Sequence, residues 1–426
     1  MDSVRTLIVG AGITGLATAA ALSERGDGDY LVLEADGEVG GWCKTVEKDG
    51  FVWDYSGHFF HFRHPDIEKW LRDRMPAAQR VRTVARKSFI SYKGHAVDFP
   101  FQKNIHQLPQ AEFIDCLHDL YFARSSDVKR DGAAPEGNFK EMLHARFGKS
   151  ICDKFLVPYN EKLYACDLAS LDKDAMGRFF PHADLTDVIR NMRTPDNASY
   201  NATFTYPEGG AIEYVRAIES AVRPGAVALG EGLVAVDLAR KVARTSRREL
   251  RFERLVSSAP FDRFAAMCGL PHDPSTWAWN KVLVFNLGFD EKGQAGVHWG
   301  YYPDRETVFY RVGWYDNILD TDRLSLYVEV GFPKDAPVDV PRMRERVLAD
   351  LKREGVVTGQ RLVAEHSVVL DPAYVHVTRQ SLSEHTRLAG LLARSGVWSL
   401  GRYGGWTYCA IEDNIVEARA LVSSFG

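Results

Sequence analysis

The hydrophobic positions of the first forty residues change spacing in a way that predicts a strand, a helix and a second strand. A mostly apolar run at residues 4–9 has the length of a buried strand, and the alanine- and leucine-rich run that begins among three glycines has helical length. A second apolar run ends at Glu34. Short apolar runs are typical of strands in parallel sheets, whereas longer runs form helices. The chain is therefore predicted to start with a βαβ unit.

Two later regions have contrasting patterns. Residues 105–195 are predicted to be helical, with helix starts near Leu108-Pro109 and Lys140 and a polar loop at residues 123–137. Residues 280–370 are predicted to be β-rich, because apolar and polar positions alternate in the runs "NKVLVFNLGF", "ETVFYRVG" and "LSLYVEVG". We find no internal repeat in the sequence.

Composition narrows the class of protein. The 426 residues are 45% hydrophobic and 26% charged, which is typical of a globular protein with two or three domains. The net charge of −4 comes without a basic block, so nucleic acid and acidic membrane surfaces are not expected as partners. The six cysteines form no CxxC pair and predict reduced thiols and no metal site. With no membrane-length apolar run and no leader pattern, we expect a cytoplasmic protein.

The glycines of the first unit have the spacing of a dinucleotide-binding turn. Gly10 permits the tight turn, Gly12 lets a pyrophosphate approach the backbone, and Gly15 allows close packing of helix and strand, with Thr14 inside the same motif. Glu34 is placed to bind ribose hydroxyls. The alternative is a glycine-rich turn that serves packing alone.

A second glycine pair, Gly40-Gly41, follows Glu34 by six residues. This arrangement is similar to that of the large flavoprotein group that includes amine oxidases and protoporphyrinogen oxidase, and it favours FAD over NAD. That group usually has arginine after the pair, whereas this chain has Trp42. The charge partner of the pyrophosphate therefore stays open.

The group's fold implies domains built from separated segments. The expected class is α/β, with a discontinuous Rossmann-like FAD-binding domain, an inserted helical domain and an antiparallel β-sheet substrate domain. We assign residues 1–80, 205–265 and 395–426 to the FAD-binding domain and 105–195 to the helical domain. Residues 81–104 and 270–394 form the substrate domain. A strand around Val234 would bring that residue to the cofactor.

Six short stretches carry a closer resemblance. In order along the chain they are "DYSGHFFHF", "AVDFPFQKNI", "FLVPYNEKLY", "NATFTYPEGG", "FYR" and "GRYGGWTY". Together they resemble UDP-galactopyranose mutase, most closely its eukaryotic branch. The resemblance implies an isomerase in which reduced FAD uses N5 as a nucleophile on the anomeric carbon of a nucleotide sugar, with no net oxidation. NAD(P)H would be one source of the reduced flavin.

The resemblance also implies catalytic residues. Arg178 and Arg311 match the family's two diphosphate-binding arginines, and a guanidinium fork suits a pyrophosphate that leaves and returns. His58 matches a histidine beside the flavin, on a loop that Gly57 would allow to bend. The alternatives are an ordinary ion pair for either arginine and a structural histidine for His58.

Further positions match polar groups that hold the nucleotide or the diphosphate in the family. They are Gln102, Asn160, Asn197, Asn201, Tyr301, Tyr374 and Tyr408. The chain departs from the family at two substrate positions, with Phe99 in place of tyrosine and Tyr164 in place of tryptophan, and Tyr315 is only near a third. A sugar or nucleotide other than UDP-galactose therefore stays open.

The last matching stretch leads into a predicted helix. Arg402 is expected to reach the flavin or its pyrophosphate, and the helix starting near Glu412 and Asp413 would direct its N–H groups at the flavin. The alternative is an acidic N-cap on a docking helix.

Two enzymatic hypotheses follow, together with a non-enzymatic one, a flavin-bound scaffold that would bind no nucleotide. The first is a flavin-dependent mutase acting on a nucleotide sugar. The second is an FAD-dependent oxidase or dehydrogenase of the wider group, for which an aromatic pocket with little charge is expected. The sugar, the nucleobase, the reductant and self-association into a homo-oligomer stay open.

Overall fold

The computed structural model describes residues 2–127, 137–180, 183–195 and 202–425. The strands in these residues are β1 Asp2–Val9, β2 Tyr30–Leu33, β3 Thr45–Lys48, β4 Phe51–Asp54, β5 Val81–Ala85, β6 Ser88–Tyr92, β7 His95–Asp98, β8 Thr203–Pro207, β9 Val227–Ala228, β10 Leu233–Asp237, β11 Val242–Thr245, β12 Glu249–Ser257, β13 Asn280–Phe289, β14 Trp299–Tyr301, β15 Arg311–Trp314, β16 Ser325–Pro333, β17 Leu362–Leu370 and β18 Val397–Ser399.

The helices in the same residues are α1 Ile13–Glu24, α2 Pro65–Arg72, α3 Gln110–Asp127, α4 Phe139–Ile151, α5 Val157–Tyr164, α6 Leu185–Arg193, α7 Ile212–Glu219, α8 Phe261–Met267, α9 Tyr315–Leu319, α10 Val340–Arg353, α11 Arg379–Arg394, α12 Gly401–Gly404 and α13 Ile411–Ser424. A π-helical turn, Cys152–Leu156, joins α4 to α5.

The first sheet is built from segments far apart in the sequence. Its path is β10-β11-β12-β1-β2-β9, and β18 also pairs with β12. The strands β12, β1, β2, β9 and β18 run parallel to one another, whereas β11 is antiparallel to both β10 and β12. The helices α1, α7 and α13 pack against it through a core that includes Leu16, Ile218 and Ile415. The βαβ unit and the predicted α/β fold class are confirmed.

The second sheet has the order β17-β13-β16-β15-β14-β6-β7 and is antiparallel except for the pair β14 and β6. Side chains alternate between its faces, as they must along a strand. Leu283 and Phe285 pack under α10, whereas Val282 and Val284 belong to the core shared with the helical region. The latter face carries the candidate site.

Three local predictions need correction. The helix α3 continues to Asp127, past the predicted start of a polar loop at residue 123, and residues 128–136 of that loop lie outside the described part of the chain. The region 280–370 contains the helix α10, which Asp339 caps. The run "ETVFYRVG" forms a strand only from Arg311 onward, because the Val308 N–H donates to the carboxylate of Asp350 rather than to a strand. The domain boundaries stay a prediction.

Candidate active site

A glycine cradle lies at the start of α1. Gly10 has a φ of +97°, and a Cβ on Gly15 would lie 1.8 Å from the Gly10 carbonyl oxygen. Gly12 and Gly41 face each other, since a Cβ on Gly41 would lie 3.4 Å from the Gly12 Cα. The helix begins without a side-chain cap, which leaves its first N–H groups for an anion.

Glu34 completes this cradle from the end of β2. Its carboxylate accepts hydrogen bonds from the N–H groups of Ala11 at 2.7 Å and Asp36 at 2.9 Å, so it is fixed beside the glycine turn. Open helix N–H groups, facing glycine backbones and a fixed carboxylate fit the adenosine diphosphate half of FAD. Val234 is 43% exposed at an irregularity of β10, beyond Gly232, and its contact with a cofactor stays a prediction.

Trp42 does not substitute for the missing arginine. Its indole N–H donates to the carbonyl of Pro372 at 3.2 Å. Arg402 is a cation next to the cradle, because Gly401 packs against Thr14, and a Cβ on Gly401 would lie 2.3 Å from the Thr14 hydroxyl. The hydroxyl of Thr14 donates to Asn414, which also accepts the Arg402 N–H.

The Arg402 side chain is free to bind an anion. Its guanidinium lies 5.0 Å from the ring centre of Tyr374 and 4.7 Å from that of Tyr408. Its Nε is buried, and in the described part of the chain the side chain makes no hydrogen bond or ion pair. A partly buried cation without a counter-charge is costly unless a ligand supplies one.

His58 lies between the cofactor cradle and the second sheet. Burial, helped by the charges of Arg402 and Arg311 and opposed by Glu329, lowers the pKa of His58 to about 4. The imidazole is therefore neutral at pH 7. Gly57 keeps an ordinary negative φ, so the expected bend does not explain it; a Cβ there would lie 2.6 Å from the Tyr327 hydroxyl, and close packing requires the glycine.

Arg311 is paired in a way that the sequence analysis missed. It lies directly opposite Glu329 in the β15–β16 register and binds it through two contacts, Nε to Oε2 at 2.7 Å and Nη2 to Oε1 at 2.8 Å. Burial alone would raise the pKa of Glu329, but Arg311 holds it below its usual value. The Nη1 of Arg311 has no hydrogen-bond partner among the described residues. A single acid within the apolar run "LSLYVEVG" was the available signal.

Arg178 is also paired. Its Nη2 lies 2.5 Å from both carboxylate oxygens of Asp413, and the two side chains are 38% and 32% exposed. Asp413 also accepts the N–H of Ala410 and so caps α13. Its carboxylate therefore contacts Arg178 and the helix start, and a contact with the cofactor stays a prediction.

The carboxylate of Glu412 binds backbone N–H groups of the protein itself. Its carboxylate is 2% exposed and accepts the N–H groups of Arg63 at 3.0 Å and His64 at 2.9 Å, at the start of α2. A cofactor contact from this residue would have to come from its backbone, at the helix start that the sequence predicted.

Aromatic rings line the space between the arginines. Tyr374 stacks on Tyr408 with ring centres 5.9 Å apart, and Tyr164 meets Tyr374 edge-on. Phe99 stacks on Tyr301 at 5.0 Å. The sequence analysis missed two further tyrosines of this wall, Tyr159, which is edge-on to Tyr301, and Tyr310, which is edge-on to Tyr159.

The predicted amides are less informative. Gln102 is buried, with 1% of its surface exposed. Asn160 is buried and donates to the Leu156 carbonyl one helical turn before it, so its amide nitrogen serves its own helix. Asn197 and Asn201 lie outside the described residues.

The sequence of this chain is similar to those of known proteins. A family model described as flavin containing amine oxidoreductase matches residues 13–309. Protoporphyrinogen oxidase 2 of Arabidopsis thaliana is 27% identical over 196 residues, which is 44% of this chain and 37% of the plant protein. The chain thus matches little more than a third of that relative's length.

Solved structures share the fold over almost the whole chain. A crystal structure of reduced UDP-galactopyranose mutase gives a TM-score of 0.89 at 24% identity and covers 99% of this chain and 94% of that one. Cyclohexylamine oxidase from Brevibacterium oxydans gives 0.71 at 15% identity and covers 99% and 98%. The predicted structural resemblance is confirmed, and enzymes of two chemistries share it. None of the helices in the described ranges is long and apolar enough to cross a membrane.

Proposed function

The chain belongs to the flavin-containing amine oxidoreductase family, and we propose that this FAD enzyme is a nucleotide-sugar pyranose/furanose mutase. One observation carries the proposal: one guanidinium lies over the stacked pair Tyr374 and Tyr408, and two more lie near the pair. Arg402 lies over both rings, Arg311 acts on Tyr374 through its charge, and Arg178 lies over Phe179, which packs edge-on against Tyr408. The neighbouring structure of reduced UDP-galactopyranose mutase supports the same substrate class.

The charges of the site favour an anionic substrate. Glu329 and Asp413 neutralise two of the arginines, so these three guanidiniums and two carboxylates have a net charge of about +1, and His58 adds none. A protonated amine would be repelled by this charge, and an apolar polycyclic substrate would leave Arg402 without a partner. A diphosphate supplies the missing negative charge.

The protein's groups then have defined tasks. Bound in reduced form, the flavin supplies a nucleophilic nitrogen to the anomeric carbon. Arg402 and the Nη1 of Arg311 bind the diphosphate oxygens. Arg178 leaves its ion pair with Asp413 and binds the same diphosphate. The tyrosine wall excludes water from the reacting sugar. The neutral imidazole of His58 offers a hydrogen bond without adding charge to the flavin site.

Calorimetry on the FAD-loaded protein tests the substrate class. We expect UDP to bind at least tenfold more tightly than uridine, because the diphosphate is the recognised group. An oxidase of the wider family is the second candidate, favoured by the aromatic wall and by the match to protoporphyrinogen oxidase 2. Equal affinities for UDP and uridine would favour it over the mutase.

A further inference from the structure

Residues 372–376, called here the Tyr374 segment, are bonded to both predicted cofactor loops. The indole N–H of Trp42, next to the Gly40-Gly41 pair, donates to the Pro372 carbonyl at 3.2 Å. The hydroxyl of Tyr403, in the glycine-rich stretch of α12, donates to the Ala373 carbonyl at 3.3 Å. Pro372 and Ala373 are buried, so each carbonyl depends on a protein donor. These two bonds connect the Tyr374 segment to loops that are 330 and 30 residues away from it in the sequence.

The other side of the Tyr374 segment is bonded to the substrate sheet. Asn280 at the start of β13 is fully buried, and its Oδ1 accepts the Tyr374 N–H at 2.8 Å. The amide of Asn280 donates to the Leu163 carbonyl of α5 at 2.6 Å. The segment therefore spans from the cofactor cradle to the second sheet, and it moves only if bonds on one side change.

Tyr374 itself faces the candidate substrate space. Its ring lies between the guanidinium of Arg402, the ring of Tyr408 and the edge of Tyr164. A shift of the Tyr374 segment would thus change the wall that receives the diphosphate.

We propose that Trp42 and Tyr403 are positioning residues that link occupation of the cofactor cradle to the placement of Tyr374. Glycine-rich loops lose freedom when a ligand binds between them, and the indole and hydroxyl donors transmit that ordering to the two carbonyls. This role also accounts for tryptophan after the Gly40-Gly41 pair, because an indole donor at this position serves a backbone carbonyl rather than a phosphate. The identity of the ligand that contacts Tyr374 rests on the proposed function, whereas the link between Tyr374 and the cofactor loops does not.

Hydrogen exchange followed by mass spectrometry tests the link directly. The protein is measured with FAD and after removal of FAD, as wild type, Trp42→Phe and Tyr403→Phe. The matched control is Trp70→Phe, which removes an indole bond to Glu24 at the C-terminal end of α1. We expect FAD to slow exchange of the N–H groups of residues 373–376 severalfold in wild type and control. Each of the two variants should lose most of that protection while its Gly10–Glu34 region stays protected.

Equal FAD-induced protection of residues 373–376 in all four proteins would overturn the proposal. If a variant fails to retain FAD, its FAD-free form still decides, because the missing donor must speed exchange of these residues relative to FAD-free wild type; an unchanged rate overturns the proposal.

Binding of UDP to the FAD-loaded forms supplies the second readout. Loss of one hydrogen bond behind the wall should weaken UDP affinity about three- to tenfold in Trp42→Phe, and the effect should vanish in a Tyr374→Ala background, which lacks the ring. An equal effect in both backgrounds overturns the positioning role. If wild type binds no UDP, the proposed function fails, and the exchange measurement still tests the link.

Discussion

Arg311 and Glu329 form a two-contact ion pair whose carboxylate is 1% exposed, directly opposite each other on the neighbouring strands β15 and β16. The pairing uses Nε and Nη2, and Nη1 has no hydrogen-bond partner among the described residues. Arg311 therefore neutralises a buried acid, and in the proposed function it also offers a donor to the substrate.

Arg311→Ala should destabilise the fold as well as weaken binding. Removal of one partner leaves Glu329 buried and uncompensated, at a cost of about 3–5 kcal/mol in the free energy of unfolding. Urea denaturation measures this loss. The double variant Arg311→Ala/Glu329→Gln should recover most of it while UDP binding stays weak. Equal stabilities of the single and double variants would show that the pair does not control folding.

Arg178→Ala should leave the fold intact. Its bridge to Asp413 is partly exposed, and such pairs contribute about 0–1 kcal/mol. We expect UDP affinity to fall roughly tenfold, because a charge-assisted contact is lost. Asp413→Asn should tighten UDP binding by about threefold, since the competing carboxylate is gone. Calorimetry that shows weaker binding in Asp413→Asn would mean that Asp413 holds Arg178 in its binding position instead.

Gly12→Val should abolish retention of FAD. The side chain would fill the space between the facing backbones of Gly12 and Gly41, where the pyrophosphate approaches. The matched control is Gly390→Ala, because no atom lies within 4 Å of the added Cβ. Flavin absorbance after gel filtration gives the FAD content. Full FAD content in Gly12→Val would place the cofactor elsewhere.

Mild acid should destabilise the protein. Burial lowers the pKa of His298 and of His376 to about 4 from a usual 6.5, and the Nδ1 of His298 accepts the Lys87 N–H at 2.9 Å. Between pH 6.5 and 4 the unfolded chain binds more protons at these sites, so the free energy of unfolding falls as pH falls. Asp54, whose pKa burial raises to about 7, offsets part of this loss.

Thermal melts at pH 7.5 and 4.5 check this prediction. The melting temperature should be lower at pH 4.5, and His298→Gln should reduce the difference. A melting temperature independent of pH over this range would show that these histidines are accessible to protons in the folded state.

The sequence predicted the parts of the site that are local in the chain. The turn at Gly10, Gly12 and Gly15 has a fixed spacing because its task is local, and the resemblance supplied Arg178 and Arg311. Their partners could not be found in this way. Glu329 meets Arg311 only through strand register, and Asp413 meets Arg178 across 235 residues. From the sequence, Trp42 was only a position where the usual arginine is missing, because its acceptor, the carbonyl of Pro372, can be found only in the folded structure.

The most direct test of the proposed mutase reaction compares the number of product molecules formed with the number of electrons consumed. The FAD-loaded protein is reduced once with dithionite without oxygen and given a panel of nucleotide sugars, and ring-size isomers are separated by chromatography and identified by NMR. We predict many isomerised molecules per flavin, with the flavin still reduced at the end and no activity in the oxidised protein. Product that never exceeds one per flavin, or that appears only with matching oxygen or NAD(P)H consumption, would contradict the account.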